Sequence, residues 1–127
     1  MRTLRQSLQH ILAEAEAGRL GAFDQEGCVY ESEDGKHCAI GCLLTRAQLD
    51  HLMAHDMNSG AGVQRLEDEL HCLDDYGLTV AQARALQQTH DCCLMSTLVQ
   101  YLKQILNGER DSIFLNGEFV KFTGAAA

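Results

Sequence analysis

The sequence predicts an α+β fold that is mainly α, with about five short helices and a small β-hairpin over residues 28–38. Three observations predict it. Apolar side chains recur at helical spacing in several segments separated by glycine or small polar loops. Two Thr-x-x-Gln boxes, Thr45 with Gln48 and Thr79 with Gln82, mark helix starts. Near the C terminus an Asn-Gly pair sits between two β-prone runs and signals a tight hairpin, with a single edge strand as the alternative. The 127 residues contain no proline to break a helix. A chain of this length buries about two thirds of its unfolded surface, and one globular domain is expected over residues 1–123, with 124–127 as a frayed tail.

Leu4, Leu8, Ile11, Leu12 and Ala15 define a first helix over about residues 3–17, and Gly18 stops it. In the loop that follows, Phe23 is expected to plug the core. Cys28–Glu31 then reads as a strand, Ser32–Gly35 as a turn and Lys36–Cys38 as the return. The apolar run Ala39–Leu44 follows as a buried turn, and Thr45 caps the second helix. Val63, Leu66, Leu70 and Leu73 mark a third helix ending near Asp74, and Thr79 opens a fourth that runs to about His90. Asp91 or Ser96 is the expected cap of the fifth, whose buried stripe is Leu94, Leu98, Tyr101, Leu102 and Ile105 and which Asn107-Gly108 closes.

Composition narrows the function. With 46% hydrophobic and 22% charged residues the chain is of ordinary globular make-up. Eighteen acidic against ten basic side chains give a net charge of −8, which repels phosphate backbones and disfavours direct nucleic-acid binding. No apolar run approaches the ~20 residues of a membrane span, and the N-terminal residues lead into an amphipathic pattern instead of a signal core. A cytoplasmic setting is expected, where the six cysteines stay reduced. The acidic residues fall in two groups: Asp24, Glu26, Glu31, Glu33 and Asp34, then Glu67, Asp68, Glu69, Asp74 and Asp75. Blocks of this kind are commonly solvated faces, and they also suit docking to a basic protein surface.

Residues 28–44, CVYESEDGKHCAIGCLL, hold three of the six cysteines. Zinc requires four deprotonated nitrogen or sulfur ligands, usually in pairs about two to four residues apart. Cys38 and Cys42 make one pair; a second could be His90 with Cys92 or Cys93, or Cys28 could join from the facing strand to give the set Cys28, Cys38, Cys42 and His90. A nucleophilic thiol instead needs a helix N-terminus or a histidine to lower its pKa. The order Cys38, His90, Asp91 fits a thiol hydrolase. Against both stand the apolar surroundings of Cys38-Ala39-Ile40-Gly41-Cys42, where reduced cysteine acts as a small hydrophobe. His90 also shares a helix face with Ala83 and Leu86, which suits a histidine bonded inside the core. No oxyanion-hole motif is present, nor a glycine-rich phosphate loop, since Gly60-Ala61-Gly62 lacks a preceding strand. His51 and His55, one helical turn apart, read as an isolated surface pair, and His37 and His71 show no metal spacing. Packing is therefore the favoured role of the cysteines, with Gly41 leaving room, and no cofactor or catalytic residue is expected.

Cys28-x-Tyr30, Asp34-Gly35, CAIGCLLT over 38–45 and LQQTHD over 86–91 together resemble a group of small uncharacterised bacterial and phage proteins. The similarity runs over about residues 4–105, and Thr45-Arg46 stands where the group commonly has proline and acidic residues. The resemblance implies a bacterial or phage origin. Small acidic phage proteins often bind and disable a host protein, sometimes by presenting carboxylates where DNA phosphates would sit. The expected function is thus that of an interaction protein, with Glu31, Glu33, Asp34, Glu67, Asp68, Glu69, Asp74 and Asp75 facing a basic protein partner.

Overall fold

The computed structural model describes residues 1–21, 23–24 and 27–125, with the backbone alone for Asp24 and Cys28. Helix α1 (Leu4–Glu16) opens at Thr3, whose hydroxyl accepts from the Gln6 amide at 3.1 Å while the Gln6 side chain accepts from the Thr3 amide at 2.9 Å. The same reciprocal box starts α2 (Arg46–Ala54) at Thr45 and α4 (Val80–Cys92) at Thr79, as the sequence predicts. Each box satisfies two of the amides that a helix start leaves without partners. Helices α3 (Val63–Leu70) and α5 (Met95–Leu106) complete the set.

α1 packs along α5, with Leu8, Ile11 and Ala15 of one and Leu98, Leu102 and Ile105 of the other buried, and α4 lies against both α3 and α5. The core is one contiguous cluster to which all five helices contribute. Among the described residues no helix is long and apolar enough to cross a membrane.

Several boundaries differ from expectation, each for a local reason. The third helix does not reach Asp74. His71 takes the left-handed conformation (φ 50°, ψ 43°), α3 ends at Leu70, and a separate 3-10 turn, Leu73–Tyr76, continues the apolar line. Glu67 reaches forward to accept from the Leu73 amide at 3.1 Å and holds the break in place. Neither Asp91 nor Ser96 caps α5. Helix α4 runs two residues past His90 and absorbs Asp91, Ser96 lies inside the first turn of α5, and Leu94 stands at the N-cap with no side-chain hydrogen bond. Phe23 does not plug the core: it lies on β1 (Phe23–Asp24), 51% exposed, with its ring stacked on His90 at 5.6 Å.

The reversal over 28–38 is present, but its ladder is minimal. Cys28 belongs to β2 (Gly27–Cys28), which pairs back onto β1, and only Glu31 and His37 form a bridge across the turn. The other edge of residues 29–31 is taken by the loop after α2. Val29 bridges Ser59, the Tyr30 amide donates to the Asn58 carbonyl at 3.0 Å, and the Asn58 side chain exchanges two hydrogen bonds with the Glu31 backbone. At the C terminus the full hairpin forms, β3 (Ser112–Leu115) against β4 (Glu118–Lys121). Asn116 (φ 50°) and Gly117 (φ 86°) supply the two left-handed residues that a type I′ turn requires. The frayed tail expected over 124–127 is corrected at Ala125, which is buried and whose carbonyl accepts from Arg5 at 2.8 Å. Ala126 and Ala127 lie outside the described residues.

Gly41 is required by close approach: a Cβ there would overlap the Tyr30 carbonyl oxygen and lie 2.9 Å from its carbon, both backbone atoms that cannot swing aside. Gly41→Ala should therefore destabilise the fold by about 1–3 kcal/mol, read as a lower urea midpoint at unchanged slope. An unchanged midpoint would show that the approach is not tight.

Candidate functional site

Cys38 precedes, and Cys42 lies within, a short 3-10 turn, Gly41–Leu43, set against α1. Cys38 is wholly buried, and its sulfur accepts from the Gly41 amide at 3.2 Å. The Cys42 thiol donates to the Ala39 carbonyl at 3.1 Å. Burial, reinforced by the nearby Glu14 charge, pushes the Cys42 thiol up to about 12. Both sulfurs thus answer to their own backbone turn.

His90 is as buried as the sequence suggests, 2% exposed on the same face as Ala83 and Leu86. Its Nε2 accepts from the Gly21 amide at 3.1 Å and its Nδ1 donates to Asp91 Oδ1 at 2.8 Å. With its Nε2 lone pair engaged by a backbone amide, His90 is not placed to take a proton from Cys38. Of the hydrolase order Cys38, His90, Asp91, only the His90–Asp91 half is realised. Among the described residues, Cys38, Cys42 and His90 do not converge as metal ligands. The Cys28 side chain, the fourth member of that set, lies outside what is described.

What the structure does bring together are the two halves of the sequence pattern. Gln87, within LQQTHD, accepts from the Ile40 amide of CAIGCLLT at 3.3 Å and donates to Asp91 at 2.9 Å. The apolar turn and α4 are therefore clamped to each other through an amide side chain. Cys38, Gln87 and Asp91, with Tyr30, Ala61 and Val63, line a cavity of about 340 Å³. Its walls carry an amide, a phenol, the half-buried Ser59 and a carboxylate already bonded to histidine.

The carboxylates fall into two classes. Glu31 is only 12% exposed and takes a two-pronged bond from Arg46, at 2.8 and 2.6 Å, with His37 Nε2 at 2.9 Å. The Arg46 guanidinium, followed by His37, holds the Glu31 carboxyl below its usual range. Glu67 serves the Leu73 amide, and Glu69 pairs with His51 at 2.8 Å. The others face solvent: Glu33, Asp34 bonded by the Ser32 hydroxyl, Asp68 bonded by Gln64 at 2.9 Å, Asp74 and Asp75. Arginine and lysine ion pairs go to Glu14, Glu16, Glu31, Asp50 and Asp111. Among the described residues none reaches Glu33, Asp34, Glu67, Asp68, Asp74 or Asp75. Glu26 and the Asp24 carboxylate lie outside the described parts.

Cys92 and Cys93 are exposed, whereas Cys38 and Cys72 are buried and Cys42 is largely covered. Burial, with the Glu67 charge adding to it, raises the Cys72 thiol to about 11. At pH 8 a thiol of pKa about 12 is ionised in about one molecule in ten thousand. A thiol reagent applied to the native protein, followed by peptide mapping, should label Cys92 and Cys93 and reach Cys38, Cys42 and Cys72 only after unfolding. Rapid native labelling of Cys38 would restore the nucleophile reading. In comparisons with protein-family models, curated proteins and solved structures, nothing matches this chain.

Proposed function

We propose that this chain is a small acidic interaction protein that binds a basic surface on a protein partner and modulates or inhibits it. The setting is the bacterial cytoplasm, for a chain of the bacterial or phage origin that the sequence pattern suggests. The observation that carries this reading is the distribution of charge. The ion pairs of the fold leave Asp68 on α3, and Asp74 and Asp75 on the turn after it, exposed and with no cationic partner among the described residues. Charges of this kind act over about 8 Å at physiological ionic strength. They draw in a lysine- or arginine-rich surface and repel nucleic acid, so a protein that normally holds DNA or RNA is a fitting target. The buried, backbone-bonded state of Cys38 and the occupied Nε2 of His90 favour binding over chemistry.

Capture from a bacterial lysate tests the reading. A partner should be retained at about 0.05 M salt and released towards about 1 M, where the screening length falls to about 3 Å. Asp68→Lys, Asp74→Lys and Asp75→Lys combined should abolish capture at low salt while leaving thermal unfolding in place, because all three side chains face solvent. A partner held equally well at both salt concentrations and by the triple variant would contradict the proposal.

A further inference from the structure

A borderline divalent cation is best held by neutral imidazoles and a carboxylate fixed at short range. Three residues of this chain provide that donor set. His51 stands in the last turn of α2 and His55, four residues on, is its C-cap. Their rings stack with centroids 4.1 Å apart and planes 24° from parallel. Glu69, near the end of α3, reaches over to place Oε1 2.8 Å from His51 Nε2. One ligand atom from each of the three lies within 4.8 Å of the other two, and among the described residues no other group of three such side chains does so.

At His55 the hydrogen bond also sets the right protonation. His55 Nδ1 lies 2.8 Å from the His51 carbonyl oxygen. A carbonyl can only accept, so the proton sits on Nδ1 and Nε2 keeps its lone pair. A backbone carbonyl in that position is the usual outer partner of a metal-bound histidine. Between His51 Nε2 and Glu69 a proton is shared at hydrogen-bond length. A tetrahedral ion with bonds of about 2.0–2.2 Å needs its ligands about 3.4 Å apart. The gap must therefore open by about 0.6 Å, which two side chains 38% and 41% exposed can supply by rotating.

We infer that His51, His55 and Glu69 form a binding site for zinc or a neighbouring divalent transition ion. It is held by Nε2 of both histidines and a carboxylate oxygen, with water completing the shell. For Nε2 of a neutral His51 ring to bind, its proton moves to Nδ1 by exchange with solvent so that the ring stays neutral, and the charge balance at Glu69 passes from the imidazole N–H to the cation. The ion bridges α2 and α3 across the 55–62 loop, which also supplies Asn58 and Ser59 to residues 29–31. Because it binds the folded state, it should raise thermal stability in proportion to its concentration. This site does not depend on the partner proposed above.

The test is calorimetric titration of the intact chain with zinc chloride after alkylation of its reactive thiols, which removes Cys92 and Cys93 as competing ligands. One equivalent should bind and raise the melting temperature. His51→Ala, His55→Ala and Glu69→Gln should each weaken that binding by about tenfold or more. His71→Ala, which removes another exposed histidine, should leave it unchanged. Metal-free melting curves of the variants, whose changes are all at the surface, confirm that they fold. No saturable uptake at about 0.1 mM zinc, or one equivalent retained with full affinity in His51→Ala and His55→Ala, would overturn the inference.

Discussion

Residues Cys38–Leu44 run through the interior with only a three-residue 3-10 turn among them, so their backbone amides must find partners away from water. The rest of the structure is arranged around that need. Cys38 donates to the Tyr30 carbonyl at 3.4 Å, Ile40 to the Gln87 side chain, Gly41 to the Cys38 sulfur, and Cys42 to the Cys38 carbonyl at 3.1 Å. Leu43 and Leu44 close the turn onto Ile40 and Gly41. Two of these bonds recruit neighbours outside the segment: Cys38 the Tyr30 stretch, held on its far side by Asn58, and Ile40 helix α4 through Gln87. An irregular segment thereby acts as the keystone between helices that would otherwise meet only through apolar contact.

This arrangement explains why sulfur occupies these positions. At Cys38 a side chain is needed that fills space like a hydrophobe yet accepts an N–H, and a buried thiol does both without the demands of a hydroxyl. At Cys42 the thiol donates to a carbonyl of the same turn and is held far from ionisation. Chemistry at these sulfurs would undo the bonds that hold the turn. Outside, α2 and α3 with its following turn carry carboxylates and imidazoles that the core does not use. Those side chains can meet a partner or an ion without rearranging the interior, a division of labour common to small domains with little stability to spare.

How much of this was legible varied with how local the cause is. Thr45 with Gln48, Thr79 with Gln82, and Asn116-Gly117 each state their structure within four residues and were readable. Thr3 with Gln6 carries the same signature and went unused only because the apolar period already placed that helix. The early end of α3 was hidden, because Leu73 and Tyr76 keep the apolar spacing through a backbone break that only the left-handed His71 reveals. Leu94 as an N-cap has no local mark at all, since α5 takes its position from packing on α1 and α4. Among functional residues, the His51–His55 pair was visible as spacing. Glu69 was read only as part of an acidic run, because its approach to His51 is set by how α3 folds back on α2. Likewise the tie from Gln87 to Ile40 spans 47 residues, and only the shared sequence pattern hinted that the two halves belong together.

The keystone role of Cys38–Leu44 is most directly measured by amide hydrogen exchange, residue by residue, on the native chain. If these bonds hold the interior together, the amides of Ile40, Gly41, Leu43 and Leu44 should exchange only as slowly as those of α1 and α4, through global unfolding. Exchange at the pace of the exposed turn at residues 33–36 would mean that the segment opens on its own, and the fold would have to be held together by something else.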